Sequence, residues 1–205
     1  MSKRGARTSP FFAYIGRLRW IRRWGLMRNA IEEDVATHSW EVAVIAHGLA
    51  VIRNARFDGN VNPAEVATAA LYHDAAEVIT GDMPTPVKYH SRVMREAFGD
   101  VEQKAQNELL GLLPDSLRHW FEPVINEHGW TPETRTLVKA ADRLSAYLKC
   151  EAELRAGNQE FEQAARQIRH RLEADPLPEV QYFLEVFAPD YGASLDNLLD
   201  GLTDD

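Results

Sequence analysis

The sequence predicts an all-α protein that folds as one domain. The alternating runs of Val, Ile and Thr closed by Asn-Gly or Asp-Gly turns that would indicate β-hairpins are missing from it. Apolar residues instead recur every three or four positions behind residues that cap helices. The 205 residues suffice for one full-sized core and are few for two domains.

Two helices are predicted in the first part of the chain. Thr37 can cap the first of them. Its apolar face consists of Val42, Ile45, Leu49 and Ile52. The segment Asn62-Pro63-Ala64-Glu65 then combines an N-cap, a proline at the first helical position and a carboxylate three residues after the cap. The helix that begins there is predicted to reach about Ile79 and to end at Thr80-Gly81.

The second half of the chain continues the helical pattern. Two prolines in Asp82-Met83-Pro84-Thr85-Pro86 predict an extended loop, after which helices are predicted over 91–113 and again beyond Pro114. Thr131-Pro132 begins the longest predicted helix, which ends at Gly157. Asn158 caps a charged helix to about Glu173, and a last helix is predicted over 179–187.

No linker or repeat divides the sequence. We therefore expect a single domain over 1–205, with a catalytic core at about 30–150 and C-terminal helices at about 158–200 packed on it.

Composition and charge limit the partners. The chain has 23 basic and 31 acidic residues, a formal net charge of −8, which argues against binding a nucleic-acid polymer. Arginines do cluster near the N-terminus, as a solvated helix face or as a local anion site, and composition leaves both interpretations open. They are Arg17, Arg19, Arg22, Arg23 and Arg28.

Location is also constrained. No apolar run approaches the ~20 residues of a membrane helix, so we expect no membrane association. No apolar stretch with a cleavage site follows the basic N-terminus, which argues against a secretory signal. Cys150 is the only cysteine, which excludes an intramolecular disulfide and a thiolate cage. The cytoplasm is the expected location.

One predicted helical turn gathers an imidazole and two carboxylates. His73 and Asp74 are adjacent, and Glu77 follows at helical spacing, so the three side chains share one patch. Burying two carboxylates without a cation would cost several kcal/mol each. Either this patch is exposed to solvent or a metal ion lies on it.

Two further residues resemble His73 and Asp74, because each lies on an otherwise apolar predicted helix. His38 precedes the Val42 face, and Asp142 lies between alanines and Leu144. Any one of these residues alone is more often a surface residue, but their conjunction on three helices favours a metal site. Two nitrogens and two oxygens suit Mn²⁺ or Co²⁺, with Fe²⁺, Cu²⁺ and Zn²⁺ as alternatives.

The order His38, His73-Asp74, Asp142 is typical of the HD-domain superfamily. Within it, the sequence resembles the bacterial 5′-deoxynucleotidases of the YfbR type along nearly its whole length. The resemblance lies in Arg23-Trp24-Gly25-Leu26-Met27-Arg28-Asn29, Val35-Ala36-Thr37-His38-Ser39, Tyr72-His73-Asp74-Ala75-Ala76-Glu77, Thr80-Gly81-Asp82-Met83-Pro84-Thr85-Pro86-Val87-Lys88-Tyr89 and Val138-Lys139-Ala140-Ala141-Asp142. Of these, the Arg-Trp pair and the segment from Thr80 are the most specific.

The resemblance implies an activity and roles for particular residues. It implies an HD-domain helical bundle that removes the 5′-phosphate from deoxyribonucleoside 5′-monophosphates and discriminates against ribonucleotides. The implied metal ligands are His38, His73, Asp74 and Asp142, and the implied catalytic carboxylate is Glu77. Arg23 would hold the phosphate and Trp24 would exclude a ribose 2′-hydroxyl. The implied substrate-contacting loop is Asp82, Met83, Pro84 and Thr85.

The resemblance also suggests a homodimer, although the apolar residues Tyr182, Phe183 and Phe187 could equally pack on the core. The main alternative function is another HD phosphohydrolase that acts on guanosine polyphosphates or deoxynucleoside triphosphates, since His-Asp-x-x-Glu alone does not discriminate. A cyclic-dinucleotide phosphodiesterase is disfavoured because no Gly-Tyr-Pro motif follows. A non-catalytic helical binding module is disfavoured because every expected ligand is present.

Overall fold

The structure, a computed structural model, describes residues 8–88 and 90–200, and only the backbone of Asp200. The helices in these ranges are α1 (Phe11–Ile15), α2 (Val35–Arg56), α3 (Pro63–Tyr72), α4 (Glu77–Thr80), α5 (Thr85–Lys88), α6 (Arg92–Gly111), α7 (Asp115–Ile125), α8 (Pro132–Arg155), α9 (Glu162–Glu173), α10 (Pro178–Val186) and α11 (Leu195–Asp200). Short 3₁₀ helices cover Gly16–Trp20, Glu127–Gly129, Gln159–Phe161 and Ala188–Gly192. The predicted all-α class is confirmed. Residues 1–7, Tyr89 and 201–205 lie outside the described residues.

Three helices form the centre of the fold. Helix α2 packs against α3 and α8, and α3 also packs against α8. Their facing sides bury a continuous apolar cluster that includes Val42, Ile45, Leu49, Leu137, Leu144 and Leu148. Helix α10 adds Val180 and Phe183 to the same cluster, and α9 packs on α8. The loops and helix ends around this central trio therefore have a rigid support.

Capping residues begin the central helices. Asn62 accepts a hydrogen bond from the backbone N–H of Ala64 at the start of α3, as predicted. Thr131 caps α8 in the same way, also as predicted. The predicted cap of α2 was wrong, because Asp34 and not Thr37 is its N-cap. Asp34 Oδ1 accepts the Thr37 N–H at 2.9 Å and Oδ2 accepts its hydroxyl at 3.0 Å, which makes Thr37 the partner of the cap.

The helix predicted to run from Pro63 to Ile79 is interrupted at its most polar point. Helix α3 ends at Tyr72, a turn covers 73–76, and α4 begins at Glu77. Backbone hydrogen bonds of 3.0 Å from Ala75 N–H to Tyr72 O and 2.9 Å from Glu77 N–H to Asp74 O tighten this turn. Ala75 is buried in a second apolar cluster, so tertiary packing draws the chain away from the straight helix.

Two other predicted boundaries also differ. The loop after Gly81 is extended only to Pro84, because α5 begins at Thr85 and Pro84 O accepts the N–H groups of Val87 and Lys88. Pro86 lies in the first turn of α5, where its missing N–H costs nothing. The helix predicted last corresponds to α10, but α11 follows it. With six residues, α11 is too short to show a helical period in the sequence.

Among the described residues, α2 is the one helix long and apolar enough to span a membrane by length and composition. More than half of its most apolar window is buried inside the protein. Because these side chains pack against α3 and α8, α2 serves here as a core helix.

Candidate active site

The four predicted metal ligands converge. His38 lies in the first turns of α2, His73 and Asp74 lie in the turn after α3, and Asp142 lies within α8. His38 Nε2 is 3.1 Å from Asp142 Oδ1 and 3.6 Å from Asp74 Oδ2, and His73 Nε2 is 3.1 Å from Asp74 Oδ2. Ligand atoms of His38, His73 and Asp74 all lie within 4.8 Å of one another. The pairwise packing of α2, α3 and α8 therefore brings residues distant in sequence to one point.

The hydrogen bonds of the two histidines test whether this group fits a cation. His73 Nδ1 lies 2.7 Å from the carbonyl oxygen of Ala70, which can only accept, so Nδ1 carries a proton. His38 Nδ1 lies 3.1 Å from Ser145 Oγ, whose hydroxyl donates to Glu41 Oε2 at 2.6 Å, so this Nδ1 also donates. Both buried Nε2 atoms have no hydrogen-bond partner among the residues that the structure describes. In its neutral form, each imidazole would present its Nε2 lone pair to a divalent cation held between it and the carboxylates, so the residues fit such an ion.

Without a cation, the carboxylates at this point hold positive charge on the neighbouring histidine. Burial opposes a charged imidazolium at His73, but the Asp74 carboxylate outweighs it and raises the pKa of His73 to about 9. Burial raises the pKa of Asp74, but the positive charge of His73 outweighs it, and the net shift is downward. The carboxylates thus hold a proton on His73. A bound cation would displace that proton and supply the positive charge in its place.

Glu77 begins α4 at the edge of this cluster. Its Oε2 atom is buried and has no hydrogen-bond partner among the described residues. Burial, together with the negative charges of Asp74 and Asp82, raises the pKa of Glu77 to about 9. A carboxyl group that is unpartnered and adjacent to the candidate cation site is available for chemistry.

Arg23 is the one member of the N-terminal arginine cluster that lies in this site. Its side chain is 13% exposed, and Nη1 lies 3.5 Å from Asp74 Oδ2. Burial opposes its charge, but the carboxylates of Asp74 and Glu33 outweigh burial and raise the pKa of Arg23. Arg22 and Arg28 instead form surface ion pairs with Glu32 and Glu160. A buried guanidinium next to a candidate cation site is suited to hold a phosphate.

Trp24 has an unusual backbone conformation for a bulky residue. Its φ angle is 58°, in the left-handed region that favours glycine. The indole Nε1 donates to Glu33 Oε2 at 2.6 Å, and the ring lies 5.3 Å from the buried ring of Phe161. These two contacts keep the side chain in place against the backbone strain, which typically costs about 1–3 kcal/mol.

The predicted substrate loop is only partly tied to the site. Burial raises the pKa of Asp82, while the nearby positive charge of Arg23 opposes the shift, which places Asp82 within electrostatic reach of the cluster. Thr85 begins α5, and the carbonyl oxygen of Pro84 accepts its first backbone hydrogen bonds. Contacts of Met83, Pro84 and Thr85 with a substrate remain a prediction.

Three residues around the site were not predicted from the sequence. Glu33 contacts Arg23, Trp24 and His38, whereas Ser145 and Glu41 support the His38 ring. Helical spacing could have indicated two of them, since Glu41 is three residues after His38 and Ser145 is three after Asp142. Glu33 lies before α2 and has no such signal.

The fold is shared with solved phosphohydrolases. An HD-domain phosphohydrolase from Listeria innocua superposes with a TM-score of 0.77 over 94% of this chain and 96% of that chain, at 24% identity. The cyanophage S-2L HD phosphohydrolase superposes with a TM-score of 0.62 over 87% of this chain and 96% of that chain, at 22% identity. That phage protein is bound to dA and one catalytic Zn²⁺ ion. The fold is thus that of the HD-domain phosphohydrolases.

Sequence comparison defines the family within this class. The family model described as "5′-deoxynucleotidase YfbR-like" matches residues 10–191. The 5′-deoxynucleotidase YfbR of Shigella boydii serotype 18 is 48% identical over 93% of this chain and 96% of its own length. A 5′-deoxynucleotidase of Yersinia pseudotuberculosis serotype I is 48% identical over 95% of this chain and 99% of its own. The chain belongs to the YfbR-like 5′-deoxynucleotidase family, which confirms the resemblance.

Proposed function

We propose that this chain is a metal-dependent 5′-deoxynucleotidase, which hydrolyses deoxyribonucleoside 5′-monophosphates to deoxyribonucleosides and phosphate. The observation that carries the proposal is the convergence of His38, His73, Asp74 and Asp142, with two unpartnered Nε2 atoms, beside the buried Arg23. Membership of the YfbR-like family supports the substrate class.

His38, His73, Asp74 and Asp142 would hold the divalent cation through their Nε2 and carboxylate oxygen atoms. When bound, such a cation polarises a phosphoryl oxygen and lowers the pKa of a bound water. Its ligands are nitrogen and oxygen, and we propose Mn²⁺ or Co²⁺, with Fe²⁺, Cu²⁺ and Zn²⁺ as alternatives.

Arg23 and Glu77 would act on the phosphate from the protein side. The Arg23 guanidinium offers donors in one plane that match two phosphate oxygens. The Glu77 carboxyl would orient or deprotonate the attacking water, or give a proton to the departing 5′-oxygen, and its buried, unpartnered Oε2 suits each of these roles. Positioning and charge neutralisation supply most of the rate in phosphoryl transfer.

Selection of the sugar would rest on Trp24 and Asp82. The indole of Trp24, fixed between Glu33 and Phe161, would leave no space or polar partner for a 2′-hydroxyl. Asp82 would accept a hydrogen bond from the 3′-hydroxyl, and Met83, Pro84 and Thr85 would border the nucleoside. Exclusion by an apolar surface typically discriminates by ~10²-fold, so we expect a preference for deoxyribose.

Domain organisation, assembly and location are also proposals. We propose one domain over 1–205, supported by the packing of α9 on α8 and of α10 on α2. We propose a homodimer, as the family resemblance implies. Phe183 is buried in the core and would not contribute to its interface, whereas Phe187 is 44% exposed and available. Light scattering of the purified protein tests the dimer. We also propose a cytoplasmic location.

A substrate panel tests the proposed activity. Purified protein treated with EDTA and then supplied with Mn²⁺ or Co²⁺ is assayed on dAMP, AMP, dATP and ppGpp. We expect phosphate release from dAMP well above that from AMP, with none after EDTA alone. Faster hydrolysis of dATP or ppGpp would assign the chain to another activity of the superfamily. Activity that survives removal of all metal would contradict the site itself.

A further inference from the structure

Glu33 lies where the substrate-binding segment meets the metal ligands. Its carboxylate is 9% exposed and faces three groups of the site. Oε2 accepts from Trp24 Nε1 at 2.6 Å and lies 3.5 Å from Arg23 Nε, while Oε1 lies 3.5 Å from His38 Nδ1. One carboxylate thus touches the proposed phosphate-binding residue, the proposed sugar-selecting residue and a proposed metal ligand.

The backbone of Glu33 is fixed by hydrogen bonds with the segment 21–23 that carries Arg23. Its carbonyl oxygen accepts the Arg23 N–H at 3.0 Å, and Ile21 O accepts the Val35 N–H at 3.0 Å. An isolated bridge between Arg22 and Asp34 joins the two segments. The capping of α2 by Asp34 fixes the next residue, so the Glu33 side chain has a defined direction before any substrate binds.

Arg23 and Trp24 contact this carboxylate in different ways: Arg23 through an ion pair whose Nε has no hydrogen-bond partner among the described residues, and Trp24 through a hydrogen bond. The Arg23 guanidinium lies 3.5 Å from both Glu33 and Asp74. Loss of the Glu33 charge would leave Arg23 to pair with Asp74, away from a phosphate. Trp24 has a strained backbone, and its indole N–H donates its hydrogen bond to Glu33. His38 depends less on Glu33, because Ser145 is closer to its Nδ1.

We propose that Glu33 is a positioning residue that sets the direction of the Arg23 guanidinium and of the Trp24 indole, and so governs phosphate binding and sugar selection. The inference rests on the proposed function. It assigns Glu33 no contact with the substrate, since Glu33 acts through its two neighbours.

Kinetics of matched variants test the role. Glu33→Gln preserves shape and can still accept the Trp24 bond, but it removes the charge near Arg23. We expect its KM for dAMP to rise about tenfold, the scale of losing one hydrogen bond between Arg23 and the substrate phosphate, with a smaller change in kcat. Its metal content and its dAMP to AMP preference should stay near wild type. Glu33→Ala should raise KM and also reduce that preference.

A double-mutant cycle isolates the link to Trp24. Trp24→Phe keeps an aromatic ring but removes the indole N–H. If Glu33 selects the sugar through that N–H, then Trp24→Phe and Glu33→Ala should each lower the dAMP to AMP preference, and their combination should lower it little further. Fully additive losses would overturn the proposed link. Trp24→Phe also tests the link if Glu33→Ala fails to fold.

Glu32→Ala is the matched control. Glu32 precedes Glu33, is 71% exposed and pairs with the surface Arg22, so its removal should change neither KM nor sugar preference. Glu33 variants indistinguishable from this control, in an active wild-type background, would overturn the positioning role alone. A wild-type protein inactive on every nucleotide would instead remove the proposed function, and the positioning role with it.

Discussion

Glu153 provides a quantitative test of how the structure supports the site. Its carboxylate, on α8, is fully buried and accepts the backbone N–H groups of Ala30 at 2.8 Å and Ile31 at 3.0 Å. Asn158 Nδ2 donates to it at 2.7 Å, and Lys149 forms an ion pair with it. These contacts fasten the segment that leads to Glu33 and to the start of α2.

The pKa of Glu153 gives the size and pH range of the effect. Burial opposes the charged carboxylate, but the hydrogen bonds from Lys149, Asn158 and the backbone outweigh it and lower the pKa from 4.5 to about 2. A shift of this size corresponds to about 3 kcal/mol of folding free energy. Because the folded-state pKa is depressed, this stabilisation is fully present above the unfolded-state pKa near 4.5 and is lost as pH falls towards about 2.

Replacing Glu153 with Gln should therefore lower the free energy of unfolding by about 3 kcal/mol at neutral pH. The penalty should shrink as the pH falls from 4.5 towards 2, because the wild-type carboxylate then takes up its proton. Urea unfolding of wild type and variant at pH 7 and pH 3 measures both effects. Glu162→Gln, in an exposed pair with Arg166, is the control with little expected effect. An unfolding penalty for Glu153→Gln that is the same at both pH values would refute the reasoning.

Three further substitutions test the site. Glu77→Ala should leave metal content near wild type while kcat falls by roughly 10²–10⁴-fold, and retained turnover would remove Glu77 from the chemistry. Trp24→Ala should narrow the expected ~10²-fold gap between dAMP and AMP hydrolysis, and an unchanged ratio would rule out exclusion by the indole. Ser145→Ala should weaken metal affinity by roughly 10–100-fold, because His38 Nδ1 loses its closest partner. Metal titration with dAMP turnover as the readout measures this loss, and wild-type affinity would show that Ser145 does not orient His38.

The cluster of candidate metal ligands could be predicted from the sequence because its members interrupt apolar helices. His38 and Asp142 lie on predicted helices with apolar faces, which include Val42 on one and Leu144 on the other, so a polar group buried on such a face needs a partner. The spacing of His73, Asp74 and Glu77 gave the right patch even though the assumed straight helix was wrong. Proximity within a turn survives a local break, whereas the exact helical phase does not.

Other features depend on contacts between distant segments. The break after Tyr72 arises where Ala75 packs into the second apolar cluster, which no local pattern reveals. Glu33 follows another glutamate in a charged run, and only the pairing of its segment with Arg23 turns it inward. The sequence likewise gives no sign of a positive φ at Trp24, because bulky residues rarely adopt it.

The left-handed backbone at Trp24 places conformational strain and proposed sugar selectivity at one position. Glycine or asparagine would adopt this conformation with less strain, so either could relieve the main chain while removing the indole. Directed evolution for heat resistance alone would weigh relief of this strain against loss of the contacts with Glu33 and Phe161, and the sugar would not enter that balance. If Trp24 excludes the ribose hydroxyl as proposed, a selection that penalises turnover of ribonucleotides would retain it, and relatives with a smaller residue here should accept both sugars.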